Sequence, residues 1–230
     1  MLVIDSRGLN MIDLDTMKSE SFGEAKKSAL EVLDEANNKI AKLVPIGNWA
    51  LQDDELLNSF ANWRKTFMRF FLKQFTASKE STQGYLKNLS IGQSNRIFFA
   101  IYVNEILFGH IGLSNITESK AELDNIIRGV SGGHKDLIYF SEKTLLNWAF
   151  ATLKVNTIDA QVMSKNFMAL SLHERFGFKL KERNFLKKVV RESSISFEIC
   201  EENIATEKLF LDVVEVSRAE FTKATQSSNS

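Results

Sequence analysis

A chain of 230 residues, 44% apolar and 25% charged, is long enough for one sizeable core and ordinary for a globular protein. Lys and Arg number 29 and Asp and Glu 29, so no global field favours nucleic acid or an anionic membrane, and any anion site must be local. A single cysteine, Cys200, excludes an intrachain disulfide; with no apolar run near ~18 residues and no leader-like start, a cytoplasmic chain without membrane or metal partners is expected.

From Ser21 to Leu43 the apolar residues Ala25, Leu30, Val32, Leu33, Ile40 and Leu43 predict an amphipathic helix, which Pro45-Ile46-Gly47 then punctuates. Residues 1–45 are therefore expected to be a helical arm, packed on a main domain at 46–220 or on a second copy in a homodimer. Asp53-Asp54 open a second helix with an aromatic face of Phe60, Trp63, Phe67, Phe70 and Phe71, and Ser78 to Ser81 start a shorter third. The period then changes to two. "RIFFAIYV" and "ILFGHIGLSNI" read as a hairpin broken at Asn104-Glu105, and "AELDNIIRG" as a third strand. A helix of roughly 15 residues ends near Leu153, before the strand "TIDAQVM" and a short helix that Gly177 stops. The extended runs "FLKKVV", "SISFEIC" and "LFLDVVEV" complete a mixed α/β pattern, and residues 221–230 read as a disordered tail.

Between the third strand and its following helix lies "RGVSGGHK", Arg128 to Lys135. A glycine-rich turn from strand to helix can aim backbone amides at an anion, although the same glycines also suit a plain tight turn. G-x-x-x-x-G-K-[ST] does not fit, because His134 separates Gly133 from Lys135, and G-x-G-x-x-G is absent. Glu122 and Asp124 fall on one face of a strand that would normally bury apolar side chains, so water, a cleft or a cation must face them.

Arg128-Gly129-Val130-Ser131-Gly132-Gly133 is similar to the pyrophosphate loop R/Q-x-x-G-x-G/A of the GNAT superfamily of acyl-CoA N-acyltransferases, with one residue more before the paired glycines. Asn166, Ala169, His173, Gly177 and Phe178 resemble that family's N-x-x-A-x-x-x-Y-x-x-x-G-F, with histidine in the tyrosine place. The order of elements fits over about residues 46 to 218. The resemblance implies a GNAT fold, a central, mostly antiparallel sheet with a splayed parallel strand pair, flanked by helices. It implies acetyl-CoA as cofactor, its arm along Ile126, Ile127 and Arg128 and near Asn166, and its pyrophosphate at Gly129, Val130, Gly132, Gly133, His134 and Lys135.

The same resemblance gives His173 the place of the general acid and Glu122 that of a base, with Asp124 as second candidate. Trp63, Arg64 and Arg69 lie in the segment that shapes the acceptor pocket in this family, and His110 on a neighbouring strand could orient substrate. For His173 and His110, burial in the core is the competing reading, as packing is for Trp63. "GHIGL", "AELDNIIRG", "SLHERFGF" and "WRKTFMRFFLKQFTASKESTQGYL" look most like the branch that acetylates nucleotide-linked amino sugars. Direct attack by a small-molecule amine in a ternary complex is expected, since Cys200 lies outside the cleft motifs. A protein N-terminus, a polyamine or an antibiotic remains open as acceptor, as does a non-catalytic acyl-CoA-binding module.

Overall fold

The computed structural model describes residues 2–4, 10–12, 14–206 and 208–227. Leu2–Ile4 (β1) and Asn10–Ile12 (β2) form a small antiparallel pair. The first helix, Phe22–Lys27 (α1), is capped by Ser21, whose side chain accepts from the Glu24 amide, and lasts only six residues. The helix expected to continue to Leu43 is instead a hairpin, Leu30–Leu33 (β3) and Lys39–Pro45 (β4). Its turn explains the difference: Asp34 Oδ1 accepts from the amides of Ala36 and Asn38, and Asn37 adopts φ +62°. Such local side-chain bonding offers the backbone an alternative to the helical ladder.

The chain continues through Asp54–Phe67 (α2), Lys73–Phe75 (β5), Lys79–Tyr85 (α3), Ile97–Val103 (β6), Ile106–Ser114 (β7) and Lys120–Arg128 (β8). Leu137–Trp148 (α4), Thr157–Met163 (β9), Phe167–Glu174 (α5), Lys179–Arg191 (β10), Ser194–Cys200 (β11), Phe210–Ser217 (β12) and Arg218–Ser227 (α6) complete it. Among the described residues ten strands form one sheet in the order β3-β4-β6-β7-β8-β9-β12-β10-β11-β5, and only β8 and β9 pair in parallel. Because β4 pairs with β6, from Lys42↔Tyr102 to Pro45↔Phe99, residues 30–45 belong to the central sheet and are not an arm.

Alternation along β8 decides which side chains meet which layer. Ala121 and Leu123 are buried against α4 and α5 in a core with Phe140, Leu145, Ile158 and Phe176. On the opposite face α2 packs Leu56, Leu57, Phe60 and Trp63 onto Val44, Phe98 and Ala100 of the sheet. Each such side chain contributes ~1.5–3 kcal/mol on burial, which fixes α2 beside the glycine loop. The expected disordered tail is helical to Ser227, with 228–230 outside the described residues. Ser217 Oγ accepts from the Glu220 amide while Glu220 Oε2 accepts from the Ser217 amide, a reciprocal cap, and Phe221 is buried 5.3 Å from the Phe150 ring centroid. Among the described residues no helix is long and apolar enough to cross a membrane.

Candidate active site

Strands β8 and β9 hold register for only four residues, Lys120↔Thr157 to Leu123↔Ala160, although both run further. Past Leu123, β8 stays paired to β7 alone, at Asp124, Ile127 and Arg128. The backbone edge of residues 124–128 facing β9 is thereby open to an extended ligand. At the point of parting β8 bulges: Asn125 takes φ +52°, and the register against β7 shifts between His110 and Gly112. A left-handed residue costs on the order of 1 kcal/mol. Two contacts oppose that cost. His110 Nδ1 donates to the Asn125 carbonyl at 2.7 Å, and Asn125 Nδ2 donates to Tyr85 Oη at 2.9 Å.

The glycine loop follows directly. Arg128 folds its guanidinium back over it, donating to the carbonyls of Val130 (3.3 Å), His134 (3.3 Å), Lys135 (3.0 Å) and Gly132. Gly132 and Gly133, at φ +93° and +67°, supply the left-handed turns that bring these oxygens to one side. Among the described residues the amides of Ser131 to Lys135 meet no acceptor, so five successive N–H groups precede α4. That arrangement fits the pyrophosphate of a bound coenzyme A.

Several sequence-derived roles within the loop change. The Arg128 side chain serves the loop carbonyls, which satisfy its donors, while its backbone stays on the open edge of β8 expected to take the cofactor arm. The amides of Gly129 and Val130 both donate to the Phe108 carbonyl and lie outside the cradle. A Cβ on Gly129 would fall 1.8 Å from the Trp63 ring, so Trp63 packs against the loop instead of facing an acceptor. His134 Nδ1 accepts from the Asp136 amide, and its ring sits 5.2 Å from Phe140, on the side of the core. Lys135 is exposed at the start of α4, where a cation can still reach an anion on the loop.

Glu122 and Asp124 do share a face. Glu122 Oε2 accepts from Asn115 Nδ2 at 3.0 Å and from Gln161 Nε2 at 3.2 Å, the second bond crossing from β9 at the base of the gap. Burial raises the Glu122 carboxyl above the ordinary carboxylate range, against the two amide donors. Asp124 is also raised by burial, but Arg96 lies 3.1 Å away and opposes the shift. Sequence reasoning does not single out Asn115, Gln161, Arg96 or Tyr85. Gln161 does carry a signal, as a polar residue alternating with Ile158, Ala160 and Val162 on β9.

His173 is 3% exposed and lies between helices, its Nδ1 2.7 Å from Glu142 Oε1. Glu142 is fully buried, and its Oε2 has no partner among the described residues. Asn166 caps α5 through Oδ1 to the Ala169 amide at 3.3 Å. The acceptor residues are dispersed. Arg64 lies over the Phe71 ring at 3.3 Å and donates to the Lys73 carbonyl, and burial brings it down to about 10. Arg69 is exposed beside the Phe70 ring, 4.7 Å away. His110 is buried among Phe60, Trp63 and Phe98, and desolvation lowers it to about 4, so it is a neutral, backbone-bonded core residue rather than a substrate contact.

A family model described as an acetyltransferase (GNAT) domain matches residues 46–179. The N-acetyltransferase PseH of Campylobacter jejuni, solved with acetyl coenzyme A, aligns at 19% identity and TM-score 0.50, covering 77% of this chain and 99% of its own. Spermidine N-acetyltransferase of Vibrio cholerae, solved with CoA and spermine, aligns at 16% identity and TM-score 0.60, covering 80% of this chain and 99% of its own. A T. thermophilus protein described as a putative acetyltransferase aligns at 18% identity and TM-score 0.59, over 86% and 94% of the two chains. No curated protein sequence matches.

Proposed function

The chain belongs to the GNAT acetyltransferase family, acyl-CoA N-acyltransferases that use acetyl-CoA, and from that premise we propose that its acceptor is the amine of a nucleotide-linked amino sugar. The observation that carries the catalytic reading is Glu122, a part-buried carboxylate held by Asn115 and Gln161 where β8 and β9 part, with its pKa raised.

Acetyl-CoA, when bound, supplies a thioester carbonyl open to attack by a neutral amine. The amides of Ser131 to Lys135 would hold the pyrophosphate and Lys135 would add a point charge, while the open edge from Asp124 to Arg128 would take the peptide-like groups of the arm. Glu122, its pKa raised by burial, takes the proton from the acceptor nitrogen, an effect typically worth about 10²–10⁴-fold. Asp124 stays paired with Arg96 and keeps a second charge beside it. The departing sulfur would take its proton from His173 Nε2, which requires the doubly protonated ring, with Nδ1–H given to Glu142. Attack is direct: Cys200 sits at the end of β11, opposite Phe185.

The exposed Arg69 beside the Phe70 ring offers the guanidinium and aromatic surfaces that a diphosphate and a base favour. PseH is an N-acetyltransferase that shares this fold at TM-score 0.51. A polyamine would want unpaired carboxylates. Asp159 lies opposite Glu122 and Glu215 opposite Asp159, but Lys181 is 2.6 Å from Glu215, which favours the sugar. CoA release is measured with a nucleotide-linked amino sugar, spermidine, an N-terminal peptide and an aminoglycoside. The expected result is kcat/KM at least about tenfold higher for the sugar. Turnover of spermidine alone would replace the sugar with a polyamine.

A further inference from the structure

Tyr85 on α3 and His110 on β7 approach one residue from two sides. Tyr85 Oη accepts the Asn125 side-chain amide at 2.9 Å, and His110 Nδ1 donates to the Asn125 carbonyl at 2.7 Å. Asn125 holds φ +52° in the middle of a strand, where alternation would otherwise run on from Lys120 to Arg128. His110 is 5% exposed, and three rings surround it, so its bond to the carbonyl is kept from water. Tyr85 is anchored in turn: its ring centroid lies 6.4 Å from that of Phe98, and Arg96 approaches its hydroxyl at 3.5 Å. The pairing of β8 with β9 ends at Leu123, two residues before the clamped position.

We propose that Tyr85 and His110 are positioning residues of the donor site, which hold Asn125 left-handed so that the backbone of Ile126 to Arg128 stands open toward the gap between β8 and β9. Neither touches the reacting atoms. Both act through the carbonyl and amide of one residue, and the assignment rests on the acetyl-CoA site proposed above. It accounts for a buried, neutral histidine and a half-buried tyrosine that the chemistry does not use.

Tyr85→Phe removes the oxygen that accepts from Asn125 and keeps the ring against Phe98. In the unliganded protein, amide exchange at Ile126 to Arg128 is expected to quicken while that of β6 is unchanged. Calorimetric titration is expected to show acetyl-CoA bound about tenfold more weakly, with the KM of the acceptor amine within about twofold of wild type. Adding Asn125→Gly, which adopts positive φ without strain, is expected to restore acetyl-CoA affinity to within about threefold of wild type. Unchanged exchange at residues 126–128 in Tyr85→Phe, or no recovery in the double variant, overturns the clamp. If wild-type protein bound no acetyl-CoA, the donor site itself would fall, and the exchange readout would still decide whether Tyr85 holds the bulge.

Discussion

Gln161 reaches from β9 to Glu122 on β8, Nε2 to Oε2 at 3.2 Å, one position beyond the last β9 residue paired with β8. The bond spans the base of the gap and stabilises the ionised carboxylate. Removing it therefore raises the pKa of Glu122 further. In Gln161→Leu the acidic limb of the kcat/KM profile is expected to move to higher pH, and in Glu122→Gln that limb should vanish with kcat down about 10²–10³-fold. A Gln161→Leu profile that superimposes on wild type would exclude Glu122 as the titrating base.

His110 gives a stability prediction of definite sign. Its pKa is near 4 in the folded protein against 6.5 for the free side chain, so the unfolded chain binds more protons between those values. The stability it protects is fully present above pH 6.5 and is lost as pH falls toward 4, by on the order of 3 kcal/mol. Denaturant titrations of wild type and His110→Leu from about pH 7 to 4 test this, and equal slopes in the two would refute it.

The buried pair of Glu142 and His173 makes a third. Glu142→Ala strips the imidazole of its carboxylate partner and should destabilise by about 3–5 kcal/mol. A double-mutant cycle with His173→Phe separates this from simple cavity formation: a coupling energy near zero would show that the bond contributes nothing. His173→Phe should also lower kcat well beyond a factor of two if Nε2 supplies the proton to sulfur.

Arg128 provides a fourth prediction. Arg128→Met keeps the length of the stem and loses four contacts to loop carbonyls. Acetyl-CoA affinity is expected to fall about tenfold with little salt dependence, because the side chain orders the loop instead of meeting the phosphates. A steep salt dependence of the wild-type-to-variant ratio would instead make Arg128 a direct phosphate contact.

Much of this arrangement is legible in the chain before its fold is known. The hairpin at Asn104-Glu105, β9 at Thr157–Met163 and the Ser78 start of α3 lie where period and capping chemistry put them. The shared face of Glu122 and Asp124 follows from alternation alone. The errors have equally local causes. The spacing from Leu30 to Leu43 satisfies a helix, but the turn chemistry of Asp34 to Asn38 overrides it. Ser217-Arg218-Ala219-Glu220 is a capping-box sequence, although the polar residues after it suggest disorder. Other roles are illegible for a different reason. That Arg128 turns back on its own loop, and that Tyr85 meets Asn125 forty positions away, depends on tertiary geometry that no spacing encodes.

The most direct test of the account is calorimetric titration of the folded chain with acetyl-CoA, beside a variant in which Gly132→Val forces a branched side chain onto a φ of +93°. One acetyl-CoA per chain for wild type and about tenfold or weaker affinity for the variant are predicted. No heat of binding from folded wild-type protein would contradict the account.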